Sequence, residues 1–173
     1  YLTKDDRVIV AHADKEDKIN GLHPWDATYE EIRSAGLLKN GEYIPTLEDY
    51  LDRVLEAGTI LLWLDVKSIF ALPTDEADKL SSRCAEVASE IVKERKADNF
   101  VEFIVAKENI LKRSLAASDG SWACGLMNPR LSPDYYKDNS YKWANFSTSA
   151  IFYHNKETKG EYTIDDYTGN GIR

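Results

Sequence analysis

Two stretches of this chain place chemically useful residues where chemistry needs them. His12 directly follows residues 7–11 (RVIVA), a short β-branched run that the turn residues Lys4-Asp5-Asp6 precede. An imidazole titrates near neutral pH, so at the end of a strand it can give or take a proton. Asp65 stands near the end of the apolar run 60–66 (ILLWLDV), and Lys67 comes two residues later. Positions i and i+2 of a strand share a face, so the carboxylate and the ammonium point the same way. A carboxylate in a strand buried on both faces is costly unless it is paired or bound to a cation. Asp65 and Lys67 therefore read either as an internal ion pair or as a metal ligand beside a phosphate-binding ammonium. His12 reads either as a proton carrier or as a loop histidine in solvent.

Other candidates carry less. His23 lies beside Trp25 in the long polar loop 13–27, where a packed or solvent-facing ring is the commoner case. Lys107 and His154 each follow a strand-like run and could face a site, but a solvated side chain is the commoner case for each. Trp122 and Trp143 read as core, with stacking on a ligand at a barrel mouth as the alternative. Cys84 and Cys124 are far apart, with no His or Cys at metal spacing, so they read as two buried free thiols rather than a zinc site. The chain has no GxxxxGK, no GxGxxG after a strand and no GxSxG, which disfavours nucleotide-binding loops and a serine elbow.

The net charge is −8. It argues against nonspecific binding to nucleic acid or to an anionic membrane, both of which need basic patches. A local basic site for one phosphate remains compatible with it. No apolar run is long enough to span a bilayer. The chain opens on Tyr1-Leu2-Thr3 without Met or leader, which reads as an incomplete N-terminus.

Strands and helices must alternate to hold these residues. Thr28…Glu31 and Thr46…Asp49 have the spacing of capping boxes and predict two helix starts. After Thr46, the residues Leu47, Tyr50, Leu51 and Val54 make one apolar face, which Gly58 ends. The run 60–66 predicts a parallel strand buried on both faces. Residues 75–96 carry an apolar stripe at helical spacing (Ala77, Leu80, Cys84, Val87, Ala88, Ile91). A strand is expected at 100–106, a helix at 108–117 and a strand at 121–127. Residues 129–139 read as a loop with one helical turn, 142–153 as containing a strand, and 164–167 as a short helix. With residues 7–11, about five strands result, which points to a parallel α/β sheet in one domain over 1–173.

Taken in order, these residues resemble the glycerophosphodiester phosphodiesterase family. The resemblance runs from residues 2–12 (LTKDDRVIVAH) through Ile19-Asn20-Gly21, the Thr-Tyr-Glu-Glu-Ile start at Thr28, and 44–51 (IPTLEDYL), to Leu64-Asp65-Val66-Lys67. It implies a (β/α) barrel of the TIM type, of the phospholipase-C-like kind, incomplete at both ends in these residues. About five strands cannot close eight, so open sheet edges are expected, covered by further residues, a second copy or another chain. The activity implied is metal-assisted hydrolysis of glycerophosphodiesters to glycerol phosphate and an alcohol. By resemblance, His12 is the general acid, Asp65 a metal ligand for calcium or magnesium, and Lys67 the holder of a phosphate oxygen. A periplasmic or secreted location of the complete protein is compatible with the resemblance, and no residue specifies it.

This chain departs from the family in three places. Ala13 follows His12 where the family has Asp. Asp65 stands where the family has Glu. The family's His-Arg pair and Glu-x-Asp pair have no counterpart here. A noncatalytic relative that binds a phosphate ligand is the alternative, and an unrelated barrel enzyme acting on a sugar or phosphosugar is the third reading.

Overall fold

Both capping boxes form as their spacing predicts. In a computed structural model, which describes residues 1–58, 60–117, 124–127, 131–145, 162 and 164–173, the Glu31 N–H donates to Thr28 Oγ1 at 3.3 Å. The Thr28 N–H donates to the Glu31 carboxylate at 2.8 Å. Helix α1 (Tyr29–Ser34) follows. Thr46 and Asp49 make the same exchange, at 3.2 Å each way, ahead of α2 (Leu47–Ala57). Gly58 ends α2 at φ 76°, a left-handed conformation that costs glycine no Cβ clash.

Among the described residues, four strands then alternate with helices: β1 (Leu62–Val66), α3 (Thr74–Glu94), β2 (Val101–Val105), α4 (Glu108–Ala117), β3 (Cys124–Met127), α5 (Pro133–Asp138), β4 (Trp143–Asn145) and α6 (Ile164–Gly169). All neighbouring strands are parallel, in the order β1-β2-β3-β4. Arg173 lies beside β4. Its N–H donates to Lys142 O at 3.0 Å, and its carbonyl accepts from the Ala144 N–H at 2.8 Å. Among the described residues the sheet is open, and β1 pairs with β2 alone. No helix among them is long and apolar enough to cross a membrane.

The main core lies between one sheet face and the helices. Val66, Val101, Phe103, Val105 and Leu126 pack with Cys84, Ala88 and Val92 of α3 and with Ile110 and Leu111 of α4. Each such large side chain, fully buried, contributes about 1.5–3 kcal/mol. Both cysteines are free and buried in this core, as their context predicts. A second cluster (Ile9, Ala13, Ile19, Ala27, Ile32, Ile44) roots the N-terminal loops.

Two expectations are corrected. Residues 7–11 do not form a strand of the parallel sheet. They make isolated antiparallel bridges, Leu2 with Val8 and Ile9 with Thr46, because the chain reverses at Asp6 (φ 55°) and folds residues 1–3 back on 7–9. A β-branched run favours extended backbone but does not choose its partner. Nor is β1 buried on both faces. Val66 is buried and Leu62 and Leu64 half-buried on the helix side, whereas Asp65 is exposed and Trp63 is 52% exposed on the other. The helical turn in 129–139 is α5, capped by Ser132. Of the strands expected at 121–127 and 142–153, the described parts are β3 and β4. Trp122 and His154 lie outside the described residues.

The sheet face away from α3 and α4 carries its own lattice of contacts. Trp143 stacks on Trp63 with ring centres 5.4 Å apart and planes 14° apart. Trp63 Nε1–H donates to Glu102 at 3.1 Å, and Arg173 pairs with the other oxygen of Glu102. The Trp143 ring reaches Trp63 by crossing Gly125, where a Cβ would lie 2.3 Å from both the ring and the Trp143 carbonyl. Gly125→Ala is therefore expected to destabilise the chain by about 1–3 kcal/mol, the usual range for overpacking. Chemical denaturation measures it, and an unchanged midpoint would show that Trp143 does not cross Gly125.

Candidate active site

A cavity of about 340 Å³ is lined by residues 8–12, by residues 62–67, and by Tyr1, Leu47, Tyr50, Cys84 and Ala88. The three residues singled out from sequence, His12, Asp65 and Lys67, all line it. Apolar side chains make up most of the remaining lining. The arrangement is a few polar groups set against an apolar wall, the usual character of a small-molecule site.

His12 is held through its backbone neighbours. Ile9 and Ala13 anchor in the second cluster, and the Val10 N–H donates to Pro45 O at 3.1 Å. The imidazole itself is exposed and has no hydrogen-bond partner among the described residues. Asp65 and Lys67 share the outward face of β1, as strand alternation requires. Lys67 Nζ donates to Asp65 in an ion pair, so the pairing read from sequence is present. Each side chain keeps about a third of its surface exposed, and an anionic ligand can compete with Asp65 for the ammonium. The Ser81 hydroxyl donates to Lys67 O at 2.9 Å and fixes the backbone there. Tyr1 is pushed up to about 12 by burial and by Asp17, Asp65 and Asp14, so its phenol is a neutral donor at the cavity.

The weaker candidates settle into structural roles. His23 stacks on Trp25 at 4.6 Å and does not line the cavity. Lys107 pairs with Asp78. Trp143 is buried against Trp63, in keeping with a core side chain. Sequence reading missed Asp17, a buried carboxylate that accepts from the N–H groups of Phe70 and Ala71. It sits in the charged run Asp14-Lys15-Glu16-Asp17-Lys18, which reads as solvated surface.

The described residues do not by themselves complete a metal site. Among the described residues, no group of three or more His, Cys, Asp or Glu side chains is arranged to hold a cation. Among the described residues, Asp65 is the one carboxylate lining the cavity. Calcium and magnesium take about six or more oxygen ligands and draw on several carboxylates or a substrate phosphate. Among the described residues of the cavity, Asp65 supplies one such carboxylate.

The chain matches, over 99% of its length, the crystal structure of a glycerophosphodiester phosphodiesterase from Parabacteroides distasonis, with a TM-score of 0.78 and 25% identity. The chain resembles glycerophosphodiester phosphodiesterases. The match covers 65% of the Parabacteroides protein. A candidate glycerophosphodiester phosphodiesterase from Galdieria sulphuraria matches 91% of this chain and 66% of its own, with a TM-score of 0.66. At 14% identity, that second likeness concerns the fold alone. The chain thus spans less than two thirds of the length of either structure. No protein-family model and no curated protein matches it.

The two thiols report on the cavity. Burial pushes the Cys124 thiol up to about 12, which leaves almost no thiolate near neutral pH, whereas Cys84 lines the cavity. Iodoacetamide at about pH 8 is expected to alkylate Cys84 before Cys124, since the thiolate and its access set the rate. Peptide mass mapping over time checks the order, and the reverse order would remove Cys84 from the cavity wall.

Proposed function

We propose that this chain carries part of the active site of an enzyme that hydrolyses glycerophosphodiesters to glycerol phosphate and an alcohol. The observation that carries the reading is the meeting of His12, Asp65 and Lys67 in one cavity. These are the positions that the family resemblance marks for a catalytic histidine, an acidic residue and a lysine. The parallel sheet would be part of a (β/α) barrel of the phospholipase-C-like type.

The roles follow from the side chains. A phosphodiester oxygen displaces Asp65 from the Lys67 ammonium, which holds it as a point charge. Water adds to phosphorus and releases a proton to solvent as the P–O bond to the alcohol breaks, and His12 gives its proton to the departing alcohol oxygen. A divalent cation, when bound, would neutralise charge on the phosphate. Calcium or magnesium enters this proposal only with ligands additional to Asp65. The parts assigned to His12 and Lys67 do not depend on it.

The second reading is a phosphate-ligand binding relative that does not turn over. That the described residues bring one carboxylate to the cavity favours it. Release of glycerol phosphate from glycerophosphocholine, with and without a chelator, separates the two. The enzyme reading expects release that the chelator abolishes and that His12→Ala lowers by about a hundredfold to ten-thousandfold, the usual worth of a general acid. Binding of glycerol phosphate that Lys67→Ala weakens, without any release, would establish the binding relative instead. Neither release nor binding would overturn both.

A further inference from the structure

The loops that follow His12 and Lys67 are joined by one buried carboxylate. Asp17 is 4% exposed. Its Oδ2 accepts from the N–H of Phe70 at 2.6 Å and from the N–H of Ala71 at 2.9 Å. Its Oδ1 lies 3.5 Å from the Tyr1 hydroxyl. No Lys or Arg forms an ion pair with it among the described residues, so these hydrogen bonds are what offset the burial of its charge. Backbone N–H groups donating to a carboxylate make bonds about twice as strong as neutral ones. The segment they hold starts at Lys67, whose own carbonyl is fixed by Ser81. Ser68 and Ile69, which lie between the two attachments, are buried. Residues 67–71 are thus tied at one end to α3 and at the other to the loop that begins at His12.

The geometry points to Asp17 as a positioning residue that sets Lys67 relative to His12 across the cavity. It touches neither side chain and acts through the backbone of 70–71. The ligand side of this inference rests on Lys67 being the phosphate-holding group. By contrast, the neighbouring Asp14 carboxylate bonds within its own loop, to the N–H groups of Glu16 and Lys18.

The test uses Asp17→Asn. Asn is nearly isosteric and tolerates the left-handed backbone of this position (φ 58°). Loss of the charge-assisted bonds is expected to speed amide hydrogen exchange at Phe70 and Ala71 about tenfold and to weaken glycerol phosphate binding by a similar factor. In a Lys67→Ala background the same substitution should cost no further affinity, because its effect runs through Lys67. General destabilisation would instead add to the Lys67 loss. Asp14→Asn should leave both readouts unchanged. If the Asn variant does not fold, Asp17→Ser serves the same test, because its shorter side chain removes the carboxylate from Phe70 and Ala71 and the same faster exchange is expected. Unchanged exchange at Phe70 and Ala71 would overturn the clamp, and additive losses would overturn the positioning role. If the unsubstituted chain binds no glycerol phosphate, the proposed function fails, while the exchange measurement still decides the clamp.

Discussion

β1 pairs with β2 through five consecutive residues, from Leu62–Val101 to Val66–Val105. The pleat of a strand sends successive side chains to opposite faces. Once Leu62, Leu64 and Val66 turn toward the core, Trp63 and Asp65 must turn away from it. Lys67 continues that second face. The hydrophobic demand of one side of β1 therefore fixes the direction of the acid and the lysine on the other. A slip of one residue would bury Asp65 and Trp63 and expose the leucines, so the register is strongly specified.

The opposite wall of the cavity is built differently. Residues 8–12 gain no place in the parallel sheet and are held by a tight reversal at Asp6, by bridges to Leu2 and Thr46, and by the second apolar cluster. Thr46 serves this wall and α2 together, since it bridges Ile9 through its backbone and caps the helix through its side chain. Asp17 then ties the continuation of this wall to the loop beyond Lys67. The cavity thus has one wall held by sheet pairing and another held by local turns, with a carboxylate between them.

The likeness to glycerophosphodiester phosphodiesterases spans nearly the whole chain but less than two thirds of the proteins compared. It accords with a cavity in which an imidazole, an ammonium and one carboxylate face an apolar wall. The overall charge of −8 is spread over the surface and screened by salt beyond about 10 Å, so the groups nearest a ligand in the cavity are the paired Lys67 and Asp65.

Much of the architecture was legible from local spacing. Thr28…Glu31 and Thr46…Asp49 announced their helices because a capping box is complete within four residues. The stripe from Ala77 to Ile91 announced α3 because its period is that of a helix. His12, Asp65 and Lys67 stood out through residue type and place after an apolar run. What the sequence by itself determined was the run from α1 to α4 with β1 and β2 between the helices, and the shared face of Asp65 and Lys67, since each depends on neighbours along the chain. Only the tertiary structure decided that 7–11 would pair antiparallel outside the sheet, that Trp63 would lie open and that His12 would line one cavity with the Asp65–Lys67 pair. The burial of Asp17 belongs with these, because its hydrogen-bond donors, Phe70 and Ala71, are distant in sequence and near only once the chain has folded.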